Sequence, residues 1–322
     1  MRRSSILWLV VILGAGGAVA LRVGRQAIVE RLMGPGAESR PVDGALPPPR
    51  DYLVEPVVHP FERPRRIVSL APSITETCCA LGLLDRLVGR TQYCVHPPAV
   101  RAVPVVGALV DPNLELILSI QPDIILISKN ASRVRDQLAS LGLPFEEVTD
   151  DTLAGLFEGI ETIGRLTGRP RTAGVLIENL QRDLEAIARA GRTRRPRRVL
   201  IVLGELPVPP QSVFVAGPEL FLSELLVRLG HTNAAAGLVR GKSGELSLEQ
   251  IVAINPDVIL ETAPGNGGRS GEEVYAAWAR VGPIRAIRDR AVRVYGTADD
   301  LVPSPRINVV FHRLAAALAE WR

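Results

Sequence analysis

Asn113-Leu-Glu-Leu-Ile-Leu-Ser-Ile-Gln-Pro-Asp-Ile-Ile-Leu-Ile-Ser128 returns later in the chain as Ser247-Leu-Glu-Gln-Ile-Val-Ala-Ile-Asn-Pro-Asp-Val-Ile-Leu-Glu-Thr262. Each copy opens on a helix-capping residue, Asn113 or Ser247, runs through one or two turns of helical spacing, and stops at a proline that cannot continue a helix. An aliphatic run of strand length follows each Pro-Asp, as expected of a strand covered on both faces. Leu114/Leu248, Glu115/Glu249, Ile117/Ile251, Ile120/Ile254, Pro122/Pro256, Asp123/Asp257, Ile125/Ile259 and Leu126/Leu260 are shared. A unit repeated once predicts two lobes built to one plan.

The echo extends outward from both copies. Arg65-Arg-Ile-Val-Ser-Leu70 and Arg197-Arg-Val-Leu-Ile-Val202 each read as a lobe-opening strand. Glu76 precedes Leu81-Gly82 as Glu224 precedes Leu229-Gly230. After the first strand, Ser73 is the expected cap of a helix that ends at Gly82. Strands and helices alternate through both halves, which predicts an α/β protein of two similar Rossmann-like lobes with central parallel sheets. Between the halves, Leu153, Leu156, Ile160, Ile163 and Leu166 recur at helical spacing up to Gly168. A second helix is expected from about Arg171 to Ala190, with Val175, Leu176, Leu180, Leu184 and Ile187 on its buried face. This one long backbone helix joins the lobes as a stiff rod and implies small hinge motion. The expected layout is therefore an export segment at 1–21, a proline-rich tether at 22–64, a first lobe at 65–168, the backbone helix at 169–192 and a second lobe at 193–322.

Arg2 and Arg3 precede an uncharged apolar run, Ile6 to Leu21, and Ala18-Val19-Ala20 has the form of a signal-peptidase site. The segment is either cleaved or kept as a membrane anchor; both place the body outside the cytoplasm, in the periplasm. No cysteine follows it closely, so a lipid anchor is not expected. With 47% hydrophobic and 22% charged residues the body has ample material for a core, and its net charge of +4 does not suggest nucleic acid as a partner. The arginine run at Arg192, Arg194, Arg195, Arg197 and Arg198 reads either as an anion patch or as a solvated junction before a strand. Cys78 and Cys79 are helical neighbours unable to bond each other easily. Cys94 either pairs with one of them or stays a free thiol. The chain carries no phosphate-binding glycine loop, no Gly-x-Ser-x-Gly elbow and no His-Glu-x-x-His, so no enzyme, catalytic residue or resident cofactor is expected.

Leu70-Ala-Pro-Ser-Ile-Thr-Glu76, Tyr93 to Pro98, Asn113-Leu-Glu115 with Gln121-Pro-Asp123, Asp136-Gln-Leu-Ala-Ser-Leu-Gly142, Ser247-Leu-Glu249 and Ser304-Pro-Arg306 together resemble the periplasmic binding proteins for cobalamin, iron-siderophores and haem that feed ABC importers. The resemblance covers about residues 65 to 320 and is closest to the cobalamin-binding branch. It implies that Glu115 and Glu249 dock onto arginines of a transporter permease, as paired carboxylates on two rigid lobes can. The plain alternative is a first-turn glutamate favoured by the helix dipole.

In open α/β sheets ligands lie beyond the carboxyl ends of the strands. That rule selects Pro72, Ser73, Tyr93, Cys94, His96, Leu109, Asp111 and Lys129 with Asn130 in the first lobe. In the second it selects Glu205 to Pro207, Phe214, Lys242, Asp299 and Asp300. Tyr93 matches a corrin-contacting tyrosine of the family, and Tyr93, Cys94 and His96 are also ligand types for iron or another transition metal. The loop Gly107-Ala108-Leu109-Val110 lacks the family's cleft tryptophan, and the stretch before Ser304 lacks its arginine. The implied ligand is a cobalamin-like corrinoid or another metal chelate; the alternatives are a haem or ferric-siderophore binding protein, or a membrane-tethered sensor or scaffold with the same fold.

Overall fold

The computed structural model describes residues 63–193, 195–207, 212–262, 269–296 and 298–319, with no side-chain detail at 298 and 299. The expected export segment and nearly all of the expected tether lie outside the described residues. No helix among the described residues is long and apolar enough to cross a membrane.

The first half forms β1 (Ile67–Ser69), α1 (Pro72–Ala80), β2 (Leu87–Arg90), α2 (Leu114–Ile120), β3 (Ile124–Ser128), α3 (Ser132–Ser140) and β4 (Phe145–Val148). Its strands make a wholly parallel sheet in the order β2-β1-β3-β4. Two helices follow, α4 (Leu153–Thr167) and α5 (Pro170–Gly191). The second half forms β5 (Arg198–Leu203), β6 (Val213–Ala216), α6 (Phe221–Arg228), β7 (Thr232–Asn233), β8 (Ser243–Leu246), α7 (Leu248–Ile254), β9 (Val258–Thr262), α8 (Gly271–Trp278), α9 (Arg285–Arg288), β10 (Val292–Val294) and α10 (Ile307–Ala317). Its sheet runs β10-β9-β5-β6-β8, with β7 beside the start of β5. The two-lobed α/β plan is therefore present, with one addition. β5, β9 and β10 are parallel, but β6 and β8 join antiparallel; the link from β5 into β6, residues 204–212, is shorter than a parallel crossover needs.

The repeat explains itself physically. Asn113 Oδ1 accepts the Leu116 N–H, and Ser247 forms a reciprocal capping box with Gln250. Both helices are closed by a left-handed residue, Gln121 (φ 52°) and Asn255 (φ 43°). The aspartate after each proline then clamps the opening strand of its own lobe. Asp123 Oδ2 accepts the Arg65 and Arg66 N–H groups at 2.7 and 2.9 Å, and Asp257 Oδ2 accepts the Arg198 N–H at 2.9 Å. The same aspartates donate their own N–H to Arg66 and Arg198 carbonyls, each at 2.8 Å. Ile117 and Ile125 sit in the first core, and Ile251 and Ile259 occupy the same places in the second, around Trp278.

The inter-lobe helix α5 has 22 residues, about 33 Å at 1.5 Å per residue. It packs between α4 and the C-terminal α10. Its buried stripe is Thr172, Ala173, Leu176, Leu180, Asp183, Leu184 and Ile187; Val175, expected there, is 52% exposed because it falls one position off the stripe. Asp183 is buried by accepting the Asn308 amide at 3.0 Å. α1 begins on Pro72 and Ala71 has no side-chain cap, so Ser73 is not the cap that its position suggested. All three cysteines are buried free thiols, which settles the disulfide question against a bridge.

Candidate functional site

Because all four strands of the first sheet run the same way, their carboxyl ends share one edge. The residues following β1, β3 and β4 meet there around two adjacent carboxylates, Asp150 and Asp151. Ser73 Oγ, freed from capping, donates to Asp150 Oδ2 at 2.6 Å, and Ser128 Oγ donates to Asp150 Oδ1 at 2.6 Å. Burial pushes the Asp150 carboxyl above the ordinary aspartate range, and the two hydroxyls only partly offset that. Asp151 Oδ2 accepts the Asn130 amide at 3.0 Å and is ion-paired to Lys242, which precedes β8 in the other lobe. Burial opposes the Asp151 charge, but Lys242 and Asn130 outweigh it and hold the carboxyl low.

Lys242 is placed by a close backbone approach. Gly217 N–H donates to the Lys242 carbonyl at 2.7 Å, and a Cβ on Gly217 would lie 2.2 Å from the Gly241 oxygen. At the carboxyl end of β9, Glu261 is buried and accepts the Trp278 indole N–H at 2.7 Å and the Arg269 guanidinium at 2.5 Å. Burial pushes its carboxyl up as well.

A groove of about 250 Å³ opens on the same edge of the first lobe. Leu109, Val110, Ala131 and Val134 give it an apolar lining, and Ser128, Asn130, Ser132 and Arg133 give it polar groups. Ser128 and Asn130 are the residues that hold Asp150 and Asp151, so the groove wall and the inter-lobe ion pair are one hydrogen-bonded unit.

The two repeated lobes thus meet at their strand ends on a helical rod, with the groove and the Asp151–Lys242 pair at that edge. The family model described as periplasmic binding protein matches residues 67–297. The chain belongs to that family. Over 269 residues it is 30% identical to an uncharacterized ABC transporter substrate-binding lipoprotein, YvrC, of Bacillus subtilis (strain 168), covering 80% of this chain and 81% of the relative. It is 27% identical to a vitamin B12-binding protein of Yersinia pestis (strain Pestoides F), covering 67% and 77% of the two chains. A crystal structure of a periplasmic haem binding protein from Pseudomonas aeruginosa superposes with a TM-score of 0.66 at 26% identity, covering 80% and 94%.

In this periplasmic binding protein the residues selected from sequence separate into groups. Pro72, Ser73, Leu109, Lys129 and Lys242 lie at the strand-end edge or in the residues bonded to it. Tyr93 is 55% exposed in the turn after β2, with His96 half-buried beside it and Asp111 exposed at the tip of the next loop. Phe214 is 56% exposed but lies within β6, paired with Glu245 rather than in a loop. Two selections are corrected. Cys94 turns inward, fully covered, with its thiol 3.0 Å from Thr75 Oγ1 and 3.1 Å from Thr91 Oγ1. Asp300 is buried and accepts the Arg313 guanidinium at 2.8 and 2.9 Å, so it anchors α10 instead of facing a ligand. The side chain of Asp299 lies outside what the structure describes. With Cys94 covered, Tyr93 and His96 do not gain a third ligand, and no group of three or more His, Cys, Asp or Glu among the described residues could hold a metal ion.

Asp150 and Asp151 escaped selection although the strand-end rule reaches them. They follow β4, whose Phe-Glu-Glu-Val sequence is the least apolar strand of its sheet and gives little warning of where it ends. Glu115 and Glu249 are both exposed at the second position of matching seven-residue helices. The Ser247 hydroxyl, donating at 2.6 Å, holds the Glu249 carboxyl below the ordinary glutamate range.

Proposed function

We propose that this protein captures a metal–tetrapyrrole chelate, a corrinoid or a haem, between its lobes and delivers it to an ABC importer whose permease docks on Glu115 and Glu249. The observation that carries the reading is the apolar groove of Leu109, Val110, Ala131 and Val134 joined, through Asn130 and Ser128, to the Asp151–Lys242 pair between the lobes. A flat apolar ligand is suited by such a wall with a few fixed polar groups beside it. Exposed Tyr93 adds an aromatic face at the same edge. Relatives named for vitamin B12 and for haem support this ligand class. The rod-like α5 favours capture with little lobe movement.

Thermal unfolding with cyanocobalamin, haemin and a ferric siderophore tests the reading. A ligand bound only by the folded state raises the melting temperature by mass action. A rise with a tetrapyrrole and none with the siderophore is expected; no rise with either tetrapyrrole overturns the proposal.

A further inference from the structure

Of the 38 basic residues in this chain only two are lysines, Lys129 and Lys242, and all the rest are arginines. Both lysines stand at the strand-end edge, one from each lobe, beside the residues that line the apolar groove rather than among them. Lys129 follows β3 directly, and its backbone N–H donates to the Val148 carbonyl at the end of β4. Lys242 reaches Asp151 from the second lobe. A lysine ammonium is a compact charge with three rotatable donors on a flexible stem, better able to change partners than the flat fork of arginine.

The carboxylates at this edge are already engaged. Asp150 takes two hydroxyls, and Asp151 takes Asn130 together with Lys242. The cations are less committed: Lys129 and Arg133 are exposed, and neither is paired with a carboxylate among the described residues. No acidic side chain lines the groove. What remains for a ligand is an apolar wall bordered by positive charge and by hydroxyl and amide groups.

We propose that the ligand carries a carboxylate or phosphate on an apolar body, held jointly by Lys129 and Lys242, with Lys242 exchanging Asp151 for that group on binding. Asp151 keeps the Asn130 amide when Lys242 leaves. The inference rests on the binding reading above and adds the charge class of the ligand.

The test uses matched probes: iron protoporphyrin IX against its dimethyl ester, and cyanocobalamin against cobinamide, which lacks the phosphodiester. The acidic member of a pair should bind about tenfold more tightly, the scale of one charge-assisted hydrogen bond. That preference should weaken with salt, and it should disappear in K129Q/K242Q. With an acidic probe bound, both lysines should resist acetylation by an N-hydroxysuccinimide ester, read by mass spectrometry on the intact chain. Equal binding of acidic and neutral probes, or lysines that stay reactive with an acidic probe bound, overturns the inference while the binding reading stands. If no probe of either pair binds, the reading above falls and this inference falls with it.

Discussion

Glu76 in α1 and Arg306, the residue before α10, form a two-pronged ion pair across 230 residues of sequence, with Nε–Oε2 at 2.9 Å and Nη2–Oε1 at 2.8 Å. It ties the opening helix of the first lobe to the helix that ends the second. Glu76 is almost fully covered, so removing its partner strands a buried charge. Arg306→Ala should cost about 3–5 kcal/mol, whereas the paired change Glu76→Leu with Arg306→Met should recover most of that loss. Chemical denaturation of the two variants and the parent measures this; an Arg306→Ala variant as stable as the parent would show that the pair does not hold the lobes.

Asp257 provides an acid-sensitive anchor. Burial works against its charge, but the Arg198 N–H and the Arg285 guanidinium outweigh it, and the folded-state pKa lies below 3.8. A depressed pKa contributes stability above the unfolded value that is lost as pH falls through the folded one. Asp257→Asn should therefore cost about 1–2 kcal/mol near neutral pH, with the gap to the parent closing as pH falls below 3.8. Melting temperatures across that range report the gap.

Asp150 should show the opposite slope. Its folded-state pKa is raised above 3.8, so the folded protein holds this proton more tightly than the unfolded chain does. That contribution is present below the unfolded value and is lost as pH rises through the folded one. Asp150→Asn, which removes the buried charge, should gain stability relative to the parent as pH rises above 3.8. A gap that shrinks over this rise would contradict the assignment.

Gly217→Ala tests how Lys242 is placed. The added Cβ would collide with the Gly241 oxygen at 2.2 Å and push the Gly217–Lys242 backbone pair apart. A loss of about 1–3 kcal/mol is expected from the overpacking, together with faster acetylation of Lys242, since the Asp151 contact loosens. Unchanged Lys242 reactivity would show that the turn does not position it.

Glu115 and Glu249 are exposed, so their joint replacement by Ala should leave the unfolding free energy within about 1 kcal/mol of the parent. In a reconstituted importer the same variant should retain ligand affinity and lose stimulation of transport. Full stimulation would remove the docking assignment.

The chain itself specified the lobes, because the information was local. Capping residues, prolines and aliphatic runs at fixed offsets set α2–β3 and α7–β9, and a unit that recurs needs no distant contact to be seen. Helix α5 and the glycine ends at Gly168 and Gly230 were legible for the same reason. What tertiary structure alone decided was the direction in which polar side chains point. Ser73 reads as a cap but serves Asp150, Cys94 and Asp300 read as cleft residues but face inward, and Lys242 meets Asp151 from the other lobe. Each of those outcomes follows from which groups lie nearby after the chain has closed on itself, and buried or half-buried polar atoms take whichever partner folding brings within reach.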